Sequence, residues 1–107
     1  MKNLKANDLI AKISKEIETN SVNATVLVPL LKELRDMAKS EEDPLITRSI
    51  RLAYEHLEAN NGWEFQTLED SDEVEENLLY LVSLYTKSDN KYNRDEIREI
   101  ANKMTKG

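Results

Sequence analysis

The sequence of 107 residues contains no cysteine, only two glycines and two prolines, and one tryptophan and one phenylalanine. The lack of cysteine excludes disulfides, thiolate zinc sites and cysteine nucleophiles, and it is typical of a reducing compartment. The scarcity of glycine and proline argues against collagen-like, low-complexity and turn-rich β proteins. Since 34% of the residues are charged, the composition favours a mostly helical protein.

Long apolar runs are also absent. The longest mainly apolar stretch, Leu78–Tyr85, has eight residues, whereas a helix needs about 20 to cross a bilayer. The N-terminal segment is basic, but Asp8 and Lys12 interrupt any apolar run in it, so we predict no signal peptide. These patterns predict a soluble, cytoplasmic protein that has no membrane partner.

Negative charge is concentrated in one segment of the chain. The net charge is −6, and residues 64–76 alone contain seven acids and neither Lys nor Arg. A nucleic-acid-binding surface needs clustered Lys and Arg side chains, and no such cluster is visible along the sequence. We therefore expect no nucleic-acid partner.

Apolar spacing and capping residues predict five helices. In chain order they are Asp8–Thr19 with Asn7 as N-cap, Val26–Lys39 with Thr25 as N-cap, Pro44 to Gly62 with Asp43 as N-cap, Asp70–Asp72 to Lys87, and a fifth helix from Asn93. The second boundary places Pro29 in a first turn, where its missing N–H is tolerated. Gly62 is expected to adopt the left-handed conformation after the third helix. The length fits one domain, residues 1–107, and loops of about 4–8 residues favour an all-α, compact antiparallel bundle of four to five helices.

The segment between the third and fourth predicted helices has two interpretations. Trp63 and Phe65 would point to the same side of an extended chain and could close one end of the bundle against Leu57. The acids that follow would then begin the fourth helix, where carboxylates face the positive end of its dipole. Alternatively, the two aromatics and the acids form a recognition site for a basic partner. The acids concerned are Glu69, Asp70, Asp72, Glu73 and Glu76.

The fourth predicted helix is apolar over more than one face. In addition to its main stripe it carries Leu79, Tyr80 and Leu84. A helix that is apolar nearly all round is buried on more than one side. It is therefore either the central helix of the domain or a helix whose second side contacts another chain.

No catalytic or metal-binding pattern is complete in the sequence. His56 is the only histidine, and Ala53 occupies the place of the glutamate in a helical Glu-x-x-His metal site. The segment from Ser88 fails the calcium-loop pattern, since Tyr92 and Asn93 replace an oxygen ligand and the glycine. We expect no cofactor, no metal and no enzyme activity, although catalysis by paired carboxylates in a deep pocket stays a third possibility.

Two functional hypotheses follow from these patterns. The first is a non-catalytic helical protein–protein interaction module that associates with itself, with Leu79, Tyr80 and Leu84 as apolar contacts and Trp63 and Phe65 as further anchors. The second is a small acidic inhibitor or immunity-type protein, which masks a basic site on its partner with the acids from Glu69 to Glu76. The sequence leaves both hypotheses open.

Overall fold

Five amphipathic segments form the five α-helices of the computed structural model, which describes residues 1–106. The helices are α1 (Leu4–Asn20), α2 (Ala24–Ser40), α3 (Pro44–Asn60), α4 (Val74–Thr86) and α5 (Lys91–Lys106). Each helix buries side chains at helical spacing, such as Ile46, Ile50 and Leu57 of α3, because this spacing places them on one face. The prediction of an all-α helical bundle is confirmed.

The contacts between the helices close a cycle around one core. α1 packs against α2 and α4, and α5 packs against α3 and α4, while α2 and α3 pack against each other. Each helix thus has two main neighbours, and buried side chains from all five helices form one cluster. Within residues 1–106 no helix has both the length and the apolar character needed to cross a membrane.

The wide apolar surface of α4 is used within this cycle. Tyr80 and Leu84 lie four residues apart on one flank, where Glu96 of α5 lies beside the Tyr80 hydroxyl. Leu79 lies on the opposite flank with Glu75, whose carboxylate accepts a hydrogen bond from Ser21 at the end of α1. α4 is therefore covered on two sides by α1 and α5 rather than placed at the centre. Leu84 is only 6% exposed, so the structure does not place it where it could contact another chain.

α1 begins earlier than the sequence predicted. Asn3, not Asn7, is its N-cap, and the Asn3 side chain accepts a hydrogen bond from the backbone N–H two residues further on at 2.8 Å. Asn7 lies in the helix and donates to the carbonyl of Met1 at 3.1 Å. The amino group of Met1 in turn donates to the carbonyls of Tyr85 and Thr86 at the end of α4. The added turn of α1 is thus held by contacts with a helix distant in sequence, which capping rules cannot reveal.

α2 also begins earlier, at Ala24, so Thr25 is inside the helix and is not its N-cap. As a result Pro29 lies in the helix interior rather than in the first turn. Its missing N–H leaves the carbonyl of Thr25 without the usual partner four residues on. Both Thr25 and Pro29 are exposed, so water can take the place of the lost hydrogen bond.

The end of α3 and the start of α4 differ from the prediction in the same region. Asn61, not Gly62, adopts the left-handed conformation, with φ 50° and ψ 38°, because asparagine tolerates this conformation too. α4 begins at Val74 after Glu73, so Asp70 and the residues around it do not start a helix. Residues 61–73 instead form a long loop.

α5 begins at Lys91, two residues before the predicted start at Asn93. The side-chain oxygen of Asn90 accepts hydrogen bonds from the backbone N–H groups of Tyr92 at 2.9 Å and Asn93 at 3.3 Å. Asn90 therefore caps α5. The predicted cap of α3 is confirmed, since the Asp43 carboxylate accepts from the N–H of the residue three positions on at 3.3 Å.

Candidate functional site

Three aromatic rings hold the start of the loop of residues 61–73. The His56 ring packs against Trp63 and Phe65, at centroid distances of 4.9 Å and 5.6 Å, and meets both edge to face, and the Trp63 and Phe65 centroids are 6.3 Å apart. Trp63 is 2% exposed and belongs to the core, whereas Phe65 is half-buried. Trp63 is therefore part of the core, and of these two aromatics only Phe65 offers apolar surface to a partner.

His56 has partners that the sequence analysis missed. Its Nε2 accepts a hydrogen bond from the backbone N–H of Glu64 at 3.0 Å, and its Nδ1 lies 3.1 Å from the side-chain nitrogen of Asn60. Burial lowers the pKa of His56, although the Glu64 carboxylate acts in the opposite direction. The imidazole thus favours its neutral form, whose lone pair on Nε2 accepts from the loop backbone. These contacts give His56 a structural role.

Asn77 holds the other end of the loop. It is 2% exposed, and its side-chain oxygen accepts hydrogen bonds from the backbone N–H groups of Thr67 at 2.6 Å and Leu68 at 2.7 Å. Its side-chain nitrogen donates to the carbonyls of Ser71 at 3.0 Å and Glu73 at 2.9 Å. Because every hydrogen-bonding group of this amide is engaged, residues 67–73 of the loop are fixed to α4.

The exposed carboxylates of this loop and of the start of α4 form what we call the acidic surface. It consists of Glu64, Glu69, Asp70, Asp72, Glu73 and Glu76, all of which are exposed. In the part of the chain that the structure describes, none of these carboxylates forms a salt bridge. Phe65 and Val74, which is 39% exposed, border a small cavity of about 140 Å³ beside these acids. The acidic surface therefore combines uncompensated negative charge with a small apolar contact area.

The end of α2 and the start of α3 carry the opposite charge. Two cationic side chains from each helix line an open depression of about 510 Å³, which we call the basic depression. They are Arg35 and Lys39 of α2 and Arg48 and Arg51 of α3. The sequence showed no such cluster because these residues come together only when α2 packs against α3. The folded surface therefore has a cluster of cations although the linear sequence has none.

The cations of the basic depression differ in their partners. Arg35 lies 3.9 Å from the carboxylate of Asp36, and Arg51 lies 3.3 Å from that of Glu55. Within residues 1–106, Lys39 and Arg48 form no salt bridge. These two side chains are the cations most available to an external anion.

α3 separates the acidic surface from the basic depression. Arg48 is in the first half of α3, whereas Glu64 follows its last residue, Asn60, by four positions. At about 1.5 Å per residue, the helix from Arg48 to Asn60 spans about 18 Å, and the Debye length is about 8 Å at physiological ionic strength. The two charged regions therefore do not neutralise each other within one molecule.

Among residues 1–106 no three His, Asp or Glu side chains converge as the ligands of a metal ion would. No protein-family model, curated protein or solved structure matches the chain.

Proposed function

We propose that the chain is a non-catalytic protein–protein interaction module that associates with itself and uses the acidic surface as a binding surface. One observation carries the proposal: a loop held at both ends, together with the start of α4, presents six exposed carboxylates that form no salt bridge among the described residues. Such a surface is complementary to a basic protein surface.

The helix-start interpretation explains only part of this charge. Glu75 and Glu76 lie in the first turn of α4, where they favour the positive end of the helix dipole. Glu64, Glu69 and Asp70 lie in the preceding loop, outside that turn. Their mutual repulsion has no compensating contact in the described chain, and a bound cationic partner would relieve it.

The rigidity of the loop lowers the cost of binding. Asn77 fixes Thr67 and Leu68 from one side, and the contact between His56 and Trp63 fixes the other. A surface that is already ordered loses less conformational entropy when a partner binds than a flexible loop does. The position of the carboxylates is therefore set before the partner arrives.

Light scattering after size-exclusion chromatography tests the proposal. We expect the wild-type protein to show a mass that rises with concentration and falls with added salt, because salt screens the charges. The triple variant Glu69→Gln, Asp70→Asn, Asp72→Asn should be monomeric under the same conditions. The matched control Asp8→Asn, Glu18→Gln, Glu33→Gln removes the same charge from exposed positions elsewhere and should behave as wild type. A wild-type protein that is monomeric at every concentration would refute self-association.

A second candidate is an acidic inhibitor or immunity-type protein that masks a basic site on a different protein. The uncompensated charge of the acidic surface supports this candidate equally, since it does not depend on a second copy. In this case the wild-type protein would stay monomeric and would retain a basic partner at low salt in a pull-down from native lysate. The loop triple variant would lose that partner and the control would keep it, whereas retention independent of salt would count against the candidate.

A further inference from the structure

We infer that the basic depression is the docking site for the acidic surface of a second copy of this chain, so that copies associate head to tail. This inference rests on the proposed self-association and names the surface that receives the acidic loop. It assigns a binding role to Lys39 and Arg48, which the fold itself does not require.

The chemistry of the basic depression suits several carboxylates at once. Arginine binds carboxylates through two parallel N–H donors, and lysine adds a compact charge. Four cationic side chains line the depression, with Glu42 and Asp43 as its only acids among the lining residues. Asp43 is already engaged by Arg94 at 2.8 Å, so the depression retains an excess of positive charge.

The concave shape adds a second condition on the occupant. An open depression of about 510 Å³ accepts a few side chains rather than a flat surface. The loop of residues 61–73 suits this shape, because its exposed carboxylates lie on a segment that Asn77 holds in place. Phe65 and Val74 next to them can contact the aliphatic stems of the arginines.

The loop of the same molecule cannot occupy the depression. The end of α3 lies about 18 Å along the helix axis from Arg48, and Asn77 fixes the loop to α4. The positive and negative regions can therefore meet only between two molecules. A nucleic acid is a weaker candidate, because the net charge of −6 repels a polyanion as it approaches.

This contact joins two different surfaces, the acidic surface of one molecule and the basic depression of the next. A single contact of this kind leaves a free acidic surface on one molecule and a free basic depression on the other. Assemblies of this kind either close into a ring or continue as an open chain. A symmetric dimer, in which each surface contacts its own copy, would place like charges opposite each other.

Two neutralised variants test the inference. The basic variant carries Lys39→Gln and Arg48→Gln, and the acidic variant carries Asp70→Asn and Asp72→Asn. We expect each variant alone to lose at least about tenfold in association constant, since each loses one side of the contact. Lys12→Gln with Arg98→Gln is the matched control, because it removes one Lys and one Arg from exposed positions on other helices.

The mixture of the two variants is the decisive sample. The intact depression of the acidic variant can bind the intact loop of the basic variant, so a one-to-one mixture should form dimers. These dimers should not bind further molecules, because the surfaces that each dimer leaves free are one neutralised loop and one neutralised depression. Thermal unfolding of every variant, matching that of wild type, shows that the changes leave the fold intact.

Three results would overturn the inference. In the first, the basic variant associates as strongly as wild type while the acidic variant is monomeric. This result would leave the proposed function standing and would place the contact of the acidic surface outside the basic depression. A mixture that stays monomeric would exclude a head-to-tail contact. A wild-type monomer that binds duplex DNA through Lys39 and Arg48 would make the depression a nucleic-acid site, and would also refute self-association.

Discussion

Arg94 in the first turn of α5 contacts both carboxylate oxygens of Asp43, the N-cap residue of α3. Its Nη1 lies 2.8 Å from Oδ2 and its Nη2 lies 3.2 Å from Oδ1. The same carboxylate accepts a hydrogen bond from the backbone N–H of Ile46 at 3.3 Å. The Asp43 side chain thus caps α3 and also joins the beginnings of α3 and α5, which are distant in sequence.

Two substitutions at Asp43 separate these two roles. Asparagine still caps a helix but lacks the charge that Arg94 binds, whereas alanine removes both interactions. We expect Asp43→Asn to lower the free energy of unfolding by about 1 kcal/mol and Asp43→Ala to lower it by about 2 kcal/mol. Urea unfolding measures both values, and Asp95→Ala, which breaks an exposed pair with Arg98, should cost less than about 0.5 kcal/mol. An unchanged stability of Asp43→Asn would show that the ion pair contributes nothing.

The contact with Arg94 also makes stability depend on pH. Burial raises the pKa of Asp43, but the hydrogen bonds from Arg94 and Ile46 and the charge of Arg94 outweigh it, so the pKa is lowered. Below the ordinary value near 4, the unfolded chain therefore binds a proton that the folded protein does not. The contribution of Asp43 is present above pH 4 or so and is lost as pH falls through the folded pKa. The stability difference between wild type and Asp43→Asn should accordingly shrink at acidic pH, and a constant difference would contradict this assignment.

Asn77 is the residue whose loss should disturb the loop most. Replacing it with alanine leaves the N–H groups of Thr67 and Leu68 without their acceptor and removes two donors from the carbonyls of Ser71 and Glu73. We expect Asn77→Ala to lower the free energy of unfolding by about 2–4 kcal/mol, since buried polar groups lose their partners. Hydrogen exchange should show lost protection at the Thr67 and Leu68 amides.

The control for Asn77 is Asn102→Ala, at an exposed position of α5 that is also helical. It should change stability by less than about 0.5 kcal/mol. If the Thr67 and Leu68 amides stay protected from hydrogen exchange in Asn77→Ala, the aromatic contacts alone order the loop. That outcome would weaken the argument that the acidic surface is rigid.

The fold was predictable because its main signals are local. The stripe of Ile46, Ile50 and Leu57 and the pair of Asp43 as cap and Pro44 as first helical residue lie within a few positions of each other. Such signals survive in a single sequence, since helical spacing and capping depend on near neighbours. The same rules misplaced the start of α1, where the partners of the N-terminal segment are in α4.

The site was less predictable because its contacts connect distant residues. Asn77 is a polar residue within the apolar stripe of α4. A polar residue at such a position indicates a buried side chain that needs specific hydrogen-bond partners, and this was the one sign of its role in the sequence. Its partners in the preceding loop could not be identified without the fold. The basic depression likewise combines Lys39 and Arg48 from two helices, and its charge appears only when these helices pack. The sequence left open whether Leu84 packs within the domain or contacts a second chain, because periodicity shows how wide an apolar face is but not what covers it.

His56 should make the protein less stable at mildly acidic pH. Because burial lowers its pKa, the unfolded chain binds a proton near pH 6.5 while the folded protein remains neutral at that site. Stability is then lost as pH falls below about 6.5, until the folded protein is protonated as well. Protonation at Nε2 also removes the acceptor of the Glu64 N–H.

NMR titration measures the His56 pKa without ambiguity, since the chain has a single histidine. The variant His56→Gln keeps a side-chain acceptor for the Glu64 N–H but does not titrate. Its stability should therefore fall less than that of wild type between neutral pH and about pH 5. A His56 pKa at or above the ordinary value near 6.5 would contradict the burial of the ring.

The last prediction concerns Ser49 and Tyr85, whose hydroxyl oxygens lie 2.7 Å apart in the core between α3 and α4. Tyr85 is fully buried, and burial raises the pKa of its hydroxyl, so the group stays protonated and hydrogen-bonded to Ser49. Each single change, Ser49→Ala or Tyr85→Phe, leaves the other hydroxyl without a partner and should lower the free energy of unfolding by about 1–3 kcal/mol. The double variant removes both hydroxyls, so it should lose less than the sum of the two single losses. Losses that add up fully in urea unfolding would show that the two hydroxyls act independently, because only a shared hydrogen bond makes the second removal less costly than the first.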